Sequence, residues 1–319
     1  MLTISINGFG RIGRNAFKIA LTKKNMRVVA INDLGGIDNL AYLLKYDSVY
    51  GRYDKSVKVE GQNLIVGGKK YLVYRIANPA ELPWKKLKVD VVLEYTGIFT
   101  KKEDVEKHLA AGAKKVVISA PTDSADIKTA VIGVNDSEIK GEKIIATASC
   151  TTNCCAPIIA VLEKVFGVEK ALLSTVHAAT ASQRTVDLVD KKDWRRGRSS
   201  VNNIIPSTTG AAKATALVLP SIAKKFDGVS LRVPVICGSI SDIVVLLKKN
   251  VTVNDVNNAL RQAAKTPGLK GILEVSDDEL VSTDILGTTA SAIVDSNYTR
   301  VVGGPETKLG TGNLVKVLA

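Results

Sequence analysis

Short β-branched runs alternate with helix-length amphipathic stretches over the first half of the chain. The runs predict strands over 4–6, 28–31, 89–95, 116–119 and 144–146. Apolar positions three and four residues apart predict helices over 13–24, 38–46 and 101–112. This order is typical of a parallel sheet whose strands are joined by crossover helices.

Two departures from this alternation mark other architecture. Three short runs over 57–59, 64–66 and 71–74 are separated by glycine-containing turns, which predicts antiparallel hairpins inserted in the connections of the sheet. After residue 150, a helix over 150–166 precedes longer strands over 172–176, 229–235 and 239–247. We therefore expect an α+β second half with an antiparallel sheet.

Length and composition add limits to this interpretation. A chain of 319 residues suggests about two domains, and we place them at 1–149 and 150–319. Its 45% hydrophobic and 24% charged content excludes disordered, collagen-like and low-complexity classes. No apolar run approaches the roughly 18 residues that a membrane span needs, and the N-terminus lacks a leader pattern, so we expect a cytoplasmic protein without a membrane partner.

A glycine motif connects the first predicted strand to the first predicted helix. The sequence Gly8-Phe9-Gly10-Arg11-Ile12-Gly13 has the G-x-G-x-x-G spacing of a Rossmann-type dinucleotide site. Gly8 would allow the tight turn, Gly10 the approach of the pyrophosphate, and Gly13 close packing of helix on strand. Asp33 ends the second strand, where a carboxylate accepts ribose hydroxyls and repels a 2′-phosphate, so the pattern favours NAD over NADP.

Two further positions follow strands of the same sheet. Thr96 comes after the strand over 89–95, and Ser119 ends the strand over 116–119. Ligands of such sheets bind at the carboxyl ends of the strands. Both residues are therefore candidates to line the cofactor site, although Thr96-Gly97 is equally typical of a simple turn.

A candidate nucleophile lies at the predicted start of the long helix. Cys150 would feel the positive end of the helix dipole, which favours the thiolate. Of the two histidines, His177 follows a strand and could act as a general base, whereas His108 lies in a crossover helix and is interpreted as a surface or packing residue. Spacing alone leaves open an inert cysteine with a structural histidine. Cys150 and Cys154 share a helix face, but without a further Cys or His cluster we expect no metal site.

The charge balance is basic. With 44 Lys and Arg against 31 Asp and Glu, the formal charge is +13, which favours anionic substrates, phosphates or non-specific association with nucleic acid. A block over 191–198 concentrates this charge and includes Arg196. Thr209 and Gly210 lie in a hydroxyl-rich turn opening a helix, which offers donors to phosphate, and Arg232 could add a guanidinium.

Together these segments resemble phosphorylating glyceraldehyde-3-phosphate dehydrogenases over nearly the whole chain. The most specific segment is Ala148-Ser149-Cys150-Thr151-Thr152-Asn153-Cys154. It is supported by Thr175-Val176-His177, by the segment over 203–213 and by Leu231-Arg232-Val233-Pro234, in the order of the family.

The resemblance implies that an aldehyde is oxidised with NAD through a hemithioacetal and a thioester on Cys150. His177 would be the base, and inorganic phosphate would release the acyl group as 1,3-bisphosphoglycerate. It also implies a homotetramer, with the loop around 178–202 at a subunit contact. By position in the family's motifs, the implied contacts are Thr180 and Arg232 for the phosphate of glyceraldehyde 3-phosphate, Ser149, Thr151, Arg196, Thr209 and Gly210 for the attacking phosphate, and Arg11, Ile12, Asp33, Thr96 and Ser119 for NAD.

The C-terminal end differs from the family pattern. The family continues past this point with a helix that returns to the cofactor domain, and the stretch over 303–312 is longer and more linker-like than the family's turn. We therefore expect a shortened, rearranged or engineered C-terminus that weakens the hold on the nicotinamide. Two alternatives to an active enzyme of this family remain. One is a catalytically impaired member that acts as a basic binding or scaffold protein. The other is an erythrose-4-phosphate dehydrogenase, but the Thr209-Gly210 turn argues against it.

Overall fold

The computed structural model describes residues 1–191, 193–303 and 311–319, and it divides into two compact units. The N-terminal unit comprises Met1–Ala130 and Ser137–Ala148. The C-terminal unit comprises Val131–Asp136 and Ser149–Ala319. Lys192 of the basic block and positions 304–310 of the expected linker lie outside the described residues.

The N-terminal unit alternates strands and helices as the hydrophobic pattern predicts. Its helices are α1 (Arg11–Ala20), α2 (Ile37–Lys45), α3 (Trp84–Leu87) and α4 (Lys102–Ala110), with a 3₁₀ turn at Pro79–Glu81 and another at Asp136–Ile139. Its strands are β1 (Leu2–Asn7), β2 (Met26–Asn32), β3 (Tyr46–Asp47), β4 (Gly51–Arg52), β5 (Val57–Glu60), β6 (Asn63–Val66), β7 (Lys69–Tyr74), β8 (Val91–Glu94), β9 (Lys115–Ile118), β10 (Lys128–Thr129) and β11 (Ile144–Ala146).

Nine of these strands form one sheet in the order β10-β11-β9-β8-β1-β2-β7-β6-β5. The central strand β1 pairs in parallel with both β2 and β8. At one edge, β5 pairs with β6 and β6 with β7 in antiparallel fashion, while β7 joins β2 in parallel. The predicted Rossmann-type parallel sheet and its inserted hairpins are both confirmed.

The first helix of the C-terminal unit is the long helix α5 (Cys150–Phe166), whose bounds match the sequence prediction. The remaining elements are α6 (Ala211–Val218), α7 (Val253–Ala264), a 3₁₀ turn at Pro220–Ile222, and strands β12 (Val168–Ala178), β13 (Ile205–Thr208), β14 (Phe226–Val233), β15 (Ser239–Thr252), β16 (Leu273–Ser276), β17 (Ala292–Gly303) and β18 (Thr311–Leu318). Ile158, Ile159 and Leu162 of α5 are fully buried in one core with residues of the sheet.

The seven-stranded sheet of this unit has the order β13-β14-β12-β15-β18-β17-β16. Most of its pairs are antiparallel as predicted, but β12 pairs in parallel with β14, and β16 with β17. A parallel pair needs a long crossover, and the chain between β12 and β14 supplies one because it contains β13 and α6. The sheet is therefore mixed.

No helix in the described part of the chain combines the length and the apolar character that a membrane span requires.

Candidate active site

Cys150 is the first residue of α5, as the sequence predicts. Ser149 is the N-cap in extended conformation, and its hydroxyl accepts a hydrogen bond from the Thr152 amide at 3.1 Å. This cap fixes the helix start, where unpaired amides and the helix dipole favour negative charge. The Cys150 residue is exposed, so a substrate can reach its thiol.

His177, near the end of β12, lies beside this thiol. Its Nε2 atom is 3.3 Å from Cys150 Sγ, and the residue is buried. Surrounding protein atoms raise the pKa of the Cys150 thiol, but the hydrogen bond with His177 and the charge of that ring lower it further, so the net pKa lies below its ordinary value. The pair therefore has the geometry of a nucleophile with its general base.

The two neighbouring cysteines have the opposite electrostatic environment. Burial raises the pKa of Cys154 to about 11 and that of Cys155 to about 12, despite hydrogen bonds with Ser241 and Thr215 respectively. Both remain protonated at neutral pH. Among these three thiols of α5, only Cys150 is prepared to react as a nucleophile.

Arg232 contacts the other side of the same histidine. The parallel register of β12 and β14 sets Arg232 opposite His177, and Arg232 Nη1 lies 2.7 Å from His177 Nδ1 and 3.1 Å from the Ala178 carbonyl oxygen. Burial lowers the pKa of Arg232, as does the nearby charge of Arg196, while Cys150 opposes them. An arginine remains charged under such shifts, so a cation lies next to the thiol–imidazole pair.

The other residues expected to contact phosphate belong to the same unit. Thr151 Oγ1 is 4.0 Å from Cys150 Sγ. Arg196 donates to Ser207 Oγ at 2.8 Å and pairs with Asp193 at 3.2 Å. Its charge lowers the pKa of Arg232, so the two guanidinium groups lie near each other. Such a site suits anionic ligands.

Two threonines and a glycine complete this set. Gly210 is the N-cap of α6, and Thr209 Oγ1 accepts the Ala211 amide at 3.2 Å. Thr180 is exposed in the turn after β12, where its hydroxyl lies 3.0 Å from Ser182 Oγ. The structure thus brings Cys150, His177 and Arg232 into direct contact, while Thr180 and Thr209 hydrogen-bond within their own turns.

The glycine motif lies at the end of β1 in the N-terminal unit. Gly8 has φ +92°, and a Cβ there would lie 2.6 Å from the Thr96 amide nitrogen. A Cβ on Gly13 would lie 2.0 Å from the Gly8 carbonyl oxygen, whereas one on Gly10 would meet nothing within 4 Å. The first and third glycines are therefore required by the turn and by helix packing, and the second leaves open space over the backbone.

The polar candidates of the cofactor site follow strands β2, β8 and β9 or begin α1. Asp33 Oδ2 accepts the Phe9 amide at 2.6 Å, and its Oδ1 accepts the Gly35 amide at 2.8 Å. Thr96 follows β8, and the Ser119 amide donates to the Glu94 carbonyl at 3.0 Å. Arg11 and Ile12 begin α1, with Ile12 56% exposed. The open backbone at Gly10 and the carboxylate of Asp33 fit a dinucleotide.

Sequence reasoning missed the contact between Arg232 and His177 and the buried polar residues beneath the glycine turn. Only the strand register brings Arg232 to His177. His108, interpreted as a surface or packing residue, is fully buried and hydrogen-bonded to polar side chains. The available signal was the uncommon placement of Asn7 and Glu94 at the ends of apolar strands.

Comparisons with known proteins agree over both units. The family model described as glyceraldehyde 3-phosphate dehydrogenase, NAD binding domain, matches residues 2–102, and the corresponding C-terminal domain model matches 149–319. The glyceraldehyde-3-phosphate dehydrogenase of Geobacillus stearothermophilus is 50% identical over 96% of this chain and 91% of the relative. That of Streptomyces coelicolor is also 50% identical, over 97% and 92%, and that of Priestia megaterium is 49% identical over 99% and 92%.

Proposed function

Because the chain belongs to the glyceraldehyde-3-phosphate dehydrogenase family, we propose that it converts D-glyceraldehyde 3-phosphate to 1,3-bisphosphoglycerate with NAD and inorganic phosphate. The observation that supports this most directly is the 3.3 Å contact between Cys150 Sγ and His177 Nε2. A thiol with a lowered pKa next to an imidazole is what nucleophilic attack on an aldehyde requires.

The residues of the C-terminal unit account for the covalent steps. The Cys150 thiolate, formed when His177 takes the thiol proton, attacks the aldehyde carbon. The resulting alkoxide takes that proton back from His177, and the product is a hemithioacetal. His177 Nε2 takes the hydroxyl proton while the hemithioacetal is oxidised to a thioester. NAD, when bound, supplies the acceptor for the hydride. A phosphate oxygen then attacks the thioester carbon, the C–S bond breaks, and the thiolate of Cys150 returns with release of the acyl phosphate.

The anion-binding residues divide between two phosphates in this proposal. Arg232 and Thr180 hold the phosphate of the substrate. The attacking phosphate is held by Ser149, Thr151, Arg196, Thr209 and Gly210. Support comes from the proximity of Arg196 to Arg232, which itself lies beside His177, because two guanidinium groups offset part of the charge of two phosphates at close range.

In the N-terminal unit we assign the cofactor to the glycine turn. Gly8 and Gly13 shape the turn, Gly10 leaves room for the pyrophosphate, and Arg11 and Ile12 flank it. Asp33 would accept the ribose hydroxyls of the adenosine. Thr96 and Ser119 would line the region between adenine and nicotinamide.

We also propose that the protein is a homotetramer. The mixed sheet carries exposed apolar side chains on several strands, namely Leu172, Val229, Ile240 and Val302, which are 64%, 54%, 43% and 54% exposed. The loop after β12 adds Leu188, Val189 and Trp194, of which Trp194 is 85% exposed. Apolar surface of this extent is typical of a subunit interface. Light scattering on the eluted protein measures the assembly directly, and a monomeric mass would contradict it.

A cytoplasmic location is part of the same proposal. All four cysteines are free, and the mechanism needs Cys150 as a thiolate. A reducing compartment preserves both conditions.

Formation of NADH from glyceraldehyde 3-phosphate and NAD, with and without phosphate, tests the assignment. Phosphate-dependent turnover that disappears in Cys150→Ser is expected. A single burst without turnover would contradict the acyl-transfer step, and the absence of NADH from folded protein would favour the non-catalytic alternative. Erythrose 4-phosphate, assayed in parallel, separates the two dehydrogenase assignments by kcat/KM.

A further inference from the structure

A chain of buried polar side chains crosses the carboxyl edge of the parallel sheet, beneath the glycine turn. Asn7, Asn32, Glu94 and His108 are 1%, 4%, 1% and 0% exposed. The first three end the adjacent strands β1, β2 and β8, and His108 belongs to α4. Buried polar groups are costly unless they are hydrogen-bonded, so the hydrogen-bond partners of these four side chains indicate their role.

Two asparagines form one arm of the chain. Asn32 Nδ2 donates to the Ile76 carbonyl at 2.9 Å, and its Oδ1 accepts the Ile76 amide at 2.9 Å. The same Nδ2 donates to Asn7 Oδ1 at 2.7 Å. Asn7 Nδ2 in turn donates to Glu94 Oε2 at 2.6 Å. The arm therefore ends on the carboxylate of Glu94.

An indole and an imidazole form the second arm. Trp84 Nε1 lies 3.0 Å from His108 Nδ1, and His108 Nε2 lies 3.1 Å from Glu94 Oε2. An indole N–H can only donate, so Nδ1 must accept and the proton of a neutral ring must lie on Nε2. His108 consequently donates to Glu94. The orientation of the imidazole is fixed by Trp84, and that of the carboxylate by His108 and Asn7.

The second carboxylate oxygen of Glu94 binds Thr96, which lies against Gly8 of the glycine turn. Glu94 Oε1 accepts the Thr96 amide at 2.7 Å and also the Thr96 hydroxyl. The Thr96 amide nitrogen is the atom that a Cβ on Gly8 would meet at 2.6 Å. The Gly8 amide itself donates to the Asn32 carbonyl at 2.8 Å. Both sides of the glycine turn are thus held by members of the polar chain.

We propose that Glu94 and His108 form a positioning pair for the dinucleotide, which fixes Thr96 and the Gly8 turn without touching the cofactor. This inference rests on the proposed use of NAD. Removing one partner from a buried polar set destabilises the fold, because the remaining partner is left unsatisfied. A loss of stability therefore does not identify a positioning role, which must show itself in a loss of cofactor affinity that an equally buried apolar substitution does not cause.

Three substitutions distinguish a positioning role of Glu94 and His108 from a purely structural one. Glu94→Gln replaces one carboxylate oxygen with an NH₂ donor, which must face either Asn7 and His108 or the Thr96 amide, all of which donate to Glu94. His108→Leu removes the imidazole nitrogens. His108→Gln keeps an N–H that can reach Glu94. We expect Glu94→Gln and His108→Leu to weaken NAD binding, measured by calorimetry, about 10-fold, which corresponds to one buried hydrogen bond to a charged group. We expect His108→Gln to stay within about 3-fold of the unchanged protein.

Two further measurements and a matched control variant test whether the effect is confined to NAD binding. The KM for glyceraldehyde 3-phosphate and the alkylation rate of Cys150 should not change, since both report on the C-terminal unit. Val116→Ala, at a fully buried position of β9 in the same unit, should lower the melting temperature while leaving the NAD affinity unchanged. Equal losses of NAD affinity in Val116→Ala and Glu94→Gln, or none in Glu94→Gln and His108→Leu, would overturn the proposal.

The histidine tautomer gives a test that does not depend on NAD. The chain has two histidines, so ¹⁵N-histidine labelling of the full-length protein, with His177→Asn to assign the signals, isolates the ring of His108. We expect the Nε2–H tautomer, and the Nδ1–H tautomer would overturn the pair. Failure of the unchanged protein to bind NAD would reject the proposed function, while the ¹⁵N result would still decide the arrangement of Glu94 and His108.

Discussion

Arg232 Nη1 lies 2.7 Å from His177 Nδ1, the ring nitrogen opposite to the one that faces Cys150. The Ala178 carbonyl oxygen lies 2.7 Å from the same nitrogen. A guanidinium only donates and a carbonyl only accepts, so Nδ1 can serve one partner at a time. For Nε2 to take a proton as the base, the proton of the neutral ring must lie on Nδ1, where it is directed to the Ala178 carbonyl oxygen. Arg232 Nη1 then keeps the Ala178 oxygen at 3.1 Å as an acceptor but cannot donate to Nδ1, so its guanidinium has a donor available for a substrate phosphate.

Arg232→Met should lower kcat/KM for glyceraldehyde 3-phosphate by about 100-fold, because two charge-assisted hydrogen bonds to phosphate are lost. Arg232→Lys should recover part of this loss. Glyceraldehyde without phosphate is the control substrate, and its kcat/KM should fall far less. An equal loss with both aldehydes would mean that Arg232 acts through His177 alone, which would contradict its assignment to the substrate phosphate.

Alkylation with iodoacetamide should modify Cys150 in preference to Cys154 and Cys155 at neutral pH. The rate rises as pH increases through the thiol pKa, because only the thiolate reacts. The lowered pKa of Cys150 places this rise below that of an ordinary cysteine, whereas pKa values of about 11 and about 12 keep Cys154 and Cys155 protonated. His177→Asn should move the rise to higher pH. Mass spectrometry of the modified peptides measures both effects, and labelling of Cys154 or Cys155 alongside Cys150 would argue against them.

Local patterns were sufficient for much of the fold. The parallel strands, the hairpins and the start of α5 at Cys150 follow from hydrophobic period and turn residues, which act over a few positions. The hydrophobic pattern predicts α1 over 13–24, whereas the helix begins at Arg11, directly after the N-cap Gly10, and ends at Ala20. Helix ends depend on capping geometry, which a hydrophobic pattern does not contain.

The features that the sequence does not predict depend on contacts between distant segments. The parallel pairing of β12 with β14 creates the contact of His177 with Arg232, and a sequence pattern carries no register. Likewise, the position of His108 in α4 does not show that the sheet brings Asn7 and Glu94 within hydrogen-bond distance of its ring. Both omissions concern polar side chains whose partners come from other elements, so composition and spacing could not identify them.

The glycines of the cofactor turn should respond differently to alanine. Gly8→Ala places a Cβ 2.6 Å from the Thr96 nitrogen at φ +92°, so we expect a loss of about 1–3 kcal/mol in stability. Gly10→Ala meets nothing within 4 Å and should keep the stability of the unchanged protein, but a methyl group there should weaken NAD binding. Denaturant unfolding and calorimetric titration measure the two quantities. Unchanged NAD affinity in Gly10→Ala would reject the placement of the pyrophosphate over Gly10.

Asp33→Asn should relax the preference for NAD over NADP. The asparagine keeps one oxygen, which can accept the Phe9 amide that Asp33 binds at 2.6 Å, although the Gly35 amide then loses its acceptor. The charge that repels a 2′-phosphate disappears. We expect the ratio of kcat/KM for NADP to that for NAD to rise about 10-fold, the equivalent of about 1.4 kcal/mol. Glu60→Gln, an exposed carboxylate on the edge strand β5, removes the same charge far from β1 in the sheet order and should leave the ratio unchanged. A similar rise in both variants would show that net charge, rather than Asp33 itself, determines cofactor choice.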